Sequence, residues 1–363
     1  MATLGLPRVD IEFRARASAL IEGGAAGVVA VVLTDNALSG SAVKAQALGG
    51  PEDVPGLGLA DAGADALGLV YAGAPAKVVL VTRPTDAEDY AGVFEELERL
   101  RFNILVFPGI APGDVGDAVT WVKDAYENKE KKMLAVLPNA DAADHPAIVN
   151  FATSGIVAAE GPNYTAAGYA PRIAGIIAGK DLSEGVTYQP LPEVAQVPGL
   201  SRAEADALIA AGKLVLYHDG EKAKIARGVT SFVTTTESRG DDYKKIKIVR
   251  ILNQVYDDIK KTLEDSYIGK INNTYVNKLL IATAVNNYYE TLERGGVLNA
   301  GMNACEIDVA EQRAYLKTIM DPAAVAAMTE QQVKEADTRD KVFLASTLRP
   351  LDSIEDIKLV VNL

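Results

Sequence analysis

The strongest constraint on the fold is a regular alternation of wholly apolar and amphipathic segments in the middle of the chain. The apolar segments are Val78–Val81, Asn103–Phe107 and Met133–Leu137. Between them, residues 86–101 and 114–128 have the pattern of helices. Strands that are apolar throughout must be covered on both faces, as in a parallel sheet flanked by helices. The sequence therefore predicts an α/β fold, α+β overall, with a mostly parallel sheet.

The 363 residues suggest two compact domains, and the pattern changes near Gly240. Two amphipathic helices are predicted there, over 241–265 and 276–292, the second ended by two glycines. Upstream, 36–75 is rich in Gly and Ala and is expected to be irregular, and 163–179 is predicted to be a helix broken by Pro171. We therefore expect four regions: 1–22, 23–235, 236–340 and 341–363.

Charge and cysteine content narrow the class of protein. A formal net charge of −13 disfavours direct nucleic-acid binding, because that requires a basic face. Cys305 is the single cysteine, so an intramolecular disulfide is excluded and a reducing compartment is expected. The first residues lack the pattern of a signal peptide, and the sequence has no long apolar run of membrane-spanning length. We expect a protein made in the cytoplasm, without membrane insertion.

The motifs that carry chemistry are weak, and no cofactor, metal or catalytic residue is predicted. The loop 109–117 sits where a phosphate loop would, but Asp117 stands where that motif needs a lysine. The glycines of 56–61 give a partial dinucleotide motif with no clear strand before it. His145 and His218 are too few for a His-rich metal site, and Cys305 is interpreted as an apolar filler. A mechanism based on carboxylates alone stays open, since 49 acids offer many pairs.

Both chain ends alternate apolar and polar residues, although chain ends are usually polar and frayed. The apolar positions are Val9, Ile11 and Phe13 at one end, and Val342, Leu344, Ile357, Leu359, Val361 and Leu363 at the other. Burying the last four side chains contributes about 1.5–3 kcal/mol each. Ordering about seven residues costs about 1–2 kcal/mol each, so a preformed groove with backbone hydrogen bonds is needed. The ends pair either with their own chain or with other chains.

The order of several segments resembles the short contractile tail sheath proteins of Gram-positive myophages and R-type bacteriocins. The similar segments are 5–7 with 9–13, 171–179 with 183–188, 225–231, 245–249, 257–259, 267–270, 277–278, 342–344 and 354–357. No one of these segments is diagnostic, but their order and spacing cover essentially the whole chain. The stretch 36–75 departs most from the family.

The resemblance implies a structural subunit and not an enzyme. It implies that 23–235 faces outward and that 236–340 is an inner domain, completed by strands from the arms 1–22 and 341–363 of neighbouring subunits. Such subunits stack helically as rings of six around an inner tube, with baseplate and tail terminator proteins at the ends. The sheath contracts to drive the tube through a cell envelope, as part of a virion or phage-tail-like particle assembled in the host cytoplasm. Lys334 and Arg339 are candidate contacts to the tube.

Two other interpretations remain at this point. A cytoplasmic α/β enzyme that binds a small metabolite would have the same middle region. Another tail component, such as a tube or baseplate protein, is disfavoured because tube proteins are usually small β-rich barrels, whereas this chain alternates strands and helices.

Overall fold

A computed structural model describes residues 20–21, 23–24, 27–37 and 42–362. The chain forms two compact units. The helical unit comprises Met1–Glu22, Lys261–Thr291 and Met302–Leu348, and the sheet unit comprises Gly23–Lys260, Leu292–Gly301 and Arg349–Leu363. This division differs from the predicted one, because 236–260 belongs to the sheet unit. Ile246 and Val249 are the reason, since both side chains are buried in its core.

The helices and strands follow one another along the chain as follows. The strands are β1 (Val28–Thr34), β2 (Lys44–Leu48), β3 (Lys77–Arg83), β4 (Ile104–Val106), β5 (Leu134–Pro138), β6 (Ile148–Phe151), β7 (Val157–Ala158), β8 (Val194–Gln196), β9 (Lys213–Leu214), β10 (Leu216–His218), β11 (Ala223–Ile225), β12 (Ala304–Ile307) and β13 (Leu344–Thr347). The helices are α1 (Asp61–Tyr71), α2 (Ala91–Arg99), α3 (Val115–Asn128), α4 (Ala166–Gly179), α5 (Arg202–Ala210), α6 (Ile246–Ser266), α7 (Tyr275–Arg294), α8 (Val309–Ile319), α9 (Pro322–Ala326) and α10 (Glu330–Glu335). Short 3-10 helices cover Pro51–Leu57 and Asp241–Lys244.

The sheet unit is built on a seven-stranded sheet of order β2-β3-β1-β4-β5-β6-β9. Every neighbouring pair is parallel except β2 with β3. Strand β1 shows why both faces are apolar: Val29 and Val31 belong to one buried cluster, and Ala30 and Val32 belong to another. The first cluster includes residues of α1 and α4, and the second includes residues of α2 and α3. The predicted mostly parallel α/β sheet is confirmed.

The prediction that 36–75 is irregular is wrong for 44–48, 51–57 and 61–71. Residues 44–48 form the antiparallel edge strand β2, and 61–71 form helix α1. Leu67 and Val70 of α1 are fully buried in the core of the sheet unit. The Ala- and Gly-rich composition weakened the periodic pattern, because small side chains allow close packing without marking an apolar face.

Helix α4 runs without a break through Pro171, contrary to the predicted interruption. A proline inside a helix leaves the carbonyl four residues earlier without its usual donor. Here that carbonyl belongs to Ala167, and it accepts a hydrogen bond from the backbone N–H of Gly109 at 3.2 Å. The lost bond is thus replaced by one from the loop after β4.

Helices α1 and α4 approach so closely that their contact requires glycine. A Cβ atom at Gly175 would come within 3.0 Å of the Val70 backbone, and one at Gly179 within 3.0 Å of the Gly73 carbonyl. Neither position has a positive φ, so the constraint is the space and not the backbone conformation. Part of the 171–179 segment on which the family resemblance rests is therefore explained by this packing.

Replacing Gly179 by alanine is expected to destabilise the sheet unit by about 1–3 kcal/mol, because the added methyl group overlaps backbone atoms that cannot rotate away. The free energy of unfolding of the isolated subunit in urea measures this effect. Gly116→Ala is the matched control, since Gly116 lies in α3 and a Cβ atom there would meet nothing within 4 Å. The control is expected to be neutral or slightly stabilising. Equal effects of the two substitutions would contradict the packing argument.

Within the described residues, the helical unit contains a small antiparallel sheet and the two apolar clusters that follow. Strands β12 and β13 pair in antiparallel register, with Ile307 opposite Leu344. Tyr267, Ile281 and Ala284 form one buried cluster. The second cluster consists of Leu316, Val325 and Val333, from α8, α9 and α10.

Candidate assembly surfaces

The residues after Lys341, whose sequence has the alternating pattern of strands, lie in two different environments. Leu344 belongs to β13, pairs with Ile307 of its own chain and packs against the cluster around Tyr267. The structure thus places Leu344 inside the helical unit, in a strand that pairs within its own chain. Its role at a subunit interface stays a prediction. Val342 precedes the strand and is 38% exposed.

The pair β12–β13 forms a sheet of two strands, and no third strand joins it within the described part of the chain. A strand at the edge of a sheet presents a row of unpaired N–H and C=O groups. A two-stranded sheet is at best marginally stable in water without further strands or packing. The outer edge of β12 is partly occupied, because Asn286 exchanges hydrogen bonds with the N–H and C=O of Cys305 at 2.7 and 2.9 Å. The outer edge of β13 is therefore the position where another extended segment can add.

The last described residues, 351–362, form neither helix nor strand. Ile357, Leu359 and Val361 alternate along the segment and are 82%, 80% and 70% exposed. The predicted strand over 357–363 is therefore absent from 357–362, and Leu363 lies outside the described residues. Alternate side chains of a strand point to the same face. These three exposed side chains would therefore form one apolar face if the segment paired with another strand.

Residues 352–356, called the arm root below, are held by side chains of the sheet unit. Glu355 is central, and its side chain is only 9% exposed. Its Oε1 accepts a hydrogen bond from Thr187 Oγ1 at 2.5 Å. Its Oε2 accepts from Arg227 Nε at 2.9 Å and from Lys245 Nζ at 3.3 Å.

Two further carboxylates complete the ion pairs of the arm root. Asp356 accepts from Arg227 and Asp352 accepts from Lys245. The hydrogen bond to Asp356 is the main cause that raises the pKa of Arg227 above its ordinary value. Burial lowers the pKa of Lys245, but the hydrogen bond with Asp352 and the charge of Glu355 outweigh burial and raise it overall. Both cations therefore stay charged.

At the other end of the chain, Val9, Ile11 and Phe13 lie outside the described residues. Ile21, near the end of the predicted arm, packs against the cluster of Tyr267, Ile281 and Ala284 in the helical unit. The hypothesis for the three upstream residues stays a prediction.

The candidate tube contacts Lys334 and Arg339 lie at the end of α10 and in the loop that follows. Lys334 is half-buried, Arg339 is exposed, and Arg339 has a φ of 57°. A left-handed conformation is uncommon for a residue with a side chain and requires support from its surroundings. Asn273 provides part of that support, since its Nδ2 donates to the carbonyls of Arg339 at 2.9 Å and Lys341 at 2.8 Å.

Buried polar residues that sequence reasoning missed hold the start of this loop. Lys278 is 2% exposed, and its Nζ donates to the carbonyl of Ala336 at 3.1 Å. Burial lowers the pKa of Lys278. Gln312 is also fully buried and donates from Nε2 to the carbonyls of Val333 and Lys334. The sequence signal was a lysine within the helical pattern of 276–292, but periodicity alone does not separate a buried lysine from a solvated one.

The groups considered for chemistry are engaged in structural contacts. His145 Nδ1 accepts from the backbone N–H of Ala147 at 3.1 Å, so Nε2 carries the proton and donates to Glu127 at 2.8 Å. Arg239 donates to both oxygens of Glu127, and this is the main cause that lowers the pKa of Glu127 to about 2. Burial raises the pKa of Cys305 to about 11, which leaves it a thiol.

In α/β enzymes ligands bind outside the carboxyl ends of the strands, and at this edge of the sheet the loops after β1 and β3 are joined by hydrogen bonds. Asn36 follows β1 and exchanges two hydrogen bonds with Thr85, at 2.8 and 3.0 Å. Asp35 accepts from the backbone N–H groups of Ala37 and Ala60.

In the part of the chain that the structure describes, no group of three or more His, Cys, Asp or Glu residues is arranged to hold a metal. Among the described residues, no helix has the length and apolar character needed to span a membrane.

Comparison with known proteins gives matches over almost the whole chain. The family model of the phage tail sheath protein central domain matches residues 84–231, and that of the phage tail sheath C-terminal domain matches residues 238–363. The tail sheath protein of Clostridium phage phiCD119 is 32% identical over 367 residues, covering 99% of both chains.

Solved structures show the same fold at low identity. The helical sheath of the anti-feeding prophage in its contracted state superposes with a TM-score of 0.75 at 16% identity, covering 99% of each chain. The sheath complex of the extracellular contractile injection system PVC, also contracted, gives 0.70 at 14% identity, covering 100% of this chain and 98% of that one. The sheath tail protein from Desulfitobacterium hafniense gives 0.67 at 17% identity, covering 83% and 93%.

The full-length relative and the two family models belong to a family whose members are structural proteins and not enzymes. Such proteins belong to a virion or a phage-tail-like particle. The chain is a member of the phage tail sheath family.

Proposed function

We propose that the protein polymerises as rings of six, stacked helically around an inner tube, and that the sheath contracts to drive the tube through a cell envelope. The observation that carries this proposal is the combination of an uncovered apolar strand pattern at 357–361 with a two-stranded sheet in which no strand lies beside β13 on its outer edge within the described residues. Contracted sheath assemblies with the same fold support the contraction.

The proposed link between subunits is strand addition. Residues 357–363 of one subunit would pair with an edge of the β12–β13 sheet of a neighbour. Ile357, Leu359 and Val361 would then lie on one face and lose most of the exposure that they have in the single chain. Their burial contributes about 1.5–3 kcal/mol each, which offsets much of the cost of ordering the segment. The backbone hydrogen bonds to the open edge favour association further.

The N-terminal arm is proposed to donate a second strand through Val9, Ile11 and Phe13. A sheet assembled from two resident strands and two donated ones would have the three or more strands that independent stability requires. Neighbouring subunits would then be joined by backbone pairing in addition to surface contact, so the connection persists while the subunits rotate.

Contraction is proposed to draw on conformational energy that is stored during assembly, with subunits moving as rigid bodies and arm segments as hinges. The proposed partners are further copies of the chain, the inner tube protein, and baseplate and terminator proteins at the ends. Assembly is proposed to take place in the host cytoplasm.

Lys334 and Arg339 are proposed to contact the tube. Asn273, Lys278 and Gln312 together fix the carbonyl groups of 333–341, so the two cations are presented on a constrained loop. A constrained loop loses less conformational freedom on binding than a flexible one.

Replacing Ile357, Leu359 and Val361 together by serine is expected to give a folded subunit that does not polymerise, because the strand loses its apolar face. Circular dichroism measures folding, and electron microscopy of the purified protein counts hollow sleeves. The matched control replaces Lys358, Val360 and Asn362 by serine, which alters the opposite face of the same strand and is expected to leave most sleeves intact. Deletion of 357–363 should behave as the first variant, and sleeves formed by the deleted chain would overturn strand donation.

Charge reversal at Lys334 or Arg339 is expected to weaken binding of the sheath to the tube without preventing formation of sleeves. Co-sedimentation of sleeves with purified tube protein measures the binding. The reduction should be largest at low salt, since the Debye length falls from about 30 Å at 0.01 M to about 8 Å at 0.15 M. Lys317→Glu, at an exposed position in the last turn of α8, is the control with the same change of charge. An equal loss of binding in the control would show that net charge, and not these two residues, is responsible.

A further inference from the structure

Near the end of the chain, a segment bound by side chains of the sheet unit is followed by a segment whose apolar side chains are exposed. Glu355 is 9% exposed at its side chain and accepts hydrogen bonds from three residues. Ile357, two positions later, is 82% exposed. Asp356 accepts from Arg227 although its own side chain is 87% exposed, so the last side-chain contact with the sheet unit is made just before Ile357.

The site that receives Glu355 is prepared by neighbouring residues of the sheet unit. Thr187 Oγ1 accepts from the backbone N–H of Gly228 at 3.0 Å, so its proton is free to be donated to Glu355 at 2.5 Å. Gly185 makes room for the segment, because a Cβ atom there would lie 2.8 Å from Ser353 Oγ. These contacts come from segments far apart in sequence, so the site exists only in the folded unit.

The arm root is held by side-chain ion pairs and hydrogen bonds and not by strand pairing, since 351–362 has no strand. Strand pairing would propagate along the backbone and could draw residues 357–362 onto the same subunit. Ion pairs instead stop with the last carboxylate, at Asp356. The apolar residues that follow therefore stay available for another chain.

We propose that residues 352–356 are a fixed anchor and that the junction between Asp356 and Ile357 is the pivot of the C-terminal arm. This inference rests on the proposed exchange of strands and specifies how it is controlled. The anchor keeps the root on its own subunit, so only the residues beyond Asp356 must be ordered when the strand is donated. It also restricts the volume that the free strand explores, which raises its effective concentration at a neighbouring edge. Rotation of the subunit during contraction is absorbed at the pivot.

A nitroxide label on an introduced cysteine tests the anchor in the free subunit, before any assembly. Ile354→Cys and Val360→Cys are used in a Cys305→Ala background, since both side chains are exposed and tolerate a label. Electron paramagnetic resonance at low protein concentration is expected to give a slow spectrum at 354 and a fast one at 360. Two fast spectra would overturn the anchor.

Glu355→Gln is expected to raise the ratio of mobile to held label at position 354 about tenfold, the effect of losing a charge-assisted hydrogen bond. The label at 360 should not change. Glu184→Gln is the matched control, because Glu184 forms an exposed ion pair with Lys180 on the same unit. If Glu355→Gln lowers the melting temperature of the whole subunit, Thr187→Val takes its place, because it removes no charge and only the two hydrogen bonds of Thr187 Oγ1, to Glu355 and from the Gly228 N–H. An unchanged spectrum at 354 in a folded variant overturns the inference.

The same variants separate this inference from the proposed function. Glu355→Gln is expected to reduce the yield of sleeves several-fold, whereas Glu184→Gln leaves it unchanged. Failure of the parent protein to form sleeves, with a slow label at 354, would contradict the proposed function and leave the anchor standing. Sleeves formed by Glu355→Gln at the parental yield, with the label released, would show that the anchor does not control exchange.

Discussion

Every buried backbone N–H and C=O group needs a hydrogen-bond partner, and no strand can supply partners for itself. In the sheet unit this requirement is met by seven strands side by side, with the interior strands paired on both edges. In the helical unit β12 and β13 pair with each other, and the Asn286 side chain bonds the outer backbone groups of Cys305 in β12. No strand lies on the outer edge of β13 within the described residues. Residues 351–362 form no strand at all. The proposed assembly follows from this unequal satisfaction of the backbone.

Specific close contacts fix the distance between α1 and α4 and the conformation of the loop after α10. Gly175 and Gly179 set the distance between α4 and α1, since any side chain there would overlap backbone atoms. Lys278 and Asn273 set the loop after α10 by binding its carbonyl groups. A buried lysine is costly unless its donors are satisfied, and Lys278 Nζ donates to Gln312 Oε1 at 3.4 Å and to the carbonyl of Ala336 at 3.1 Å.

Sequence patterns predicted the elements whose burial follows from their own apolar pattern. The predictions failed where the surroundings of a segment are formed by residues distant in sequence. The apolar strands around Val79, Leu105 and Ala135 were identified because they are buried on both faces in any arrangement of a parallel sheet. Helix α1 was missed because small residues pack closely without an amphipathic pattern. The continuity of α4 through Pro171 depended on the N–H of Gly109, which no local pattern reveals.

The sequence by itself determined the α/β class, the helices after Gly240 and the strand pattern at 357–361, because periodicity within a segment reflects its own faces. It also determined the family, since the order of many weak segments is specific where each alone is not. Only the tertiary structure decided which of the end segments already pair within the chain. Leu344 is paired within its chain and Ile357 is not, although both have the same alternating pattern. The physical reason is that Ile307 lies opposite Leu344, while Thr187, Arg227 and Lys245 bind the chain just before Ile357, and these partners are distant in sequence.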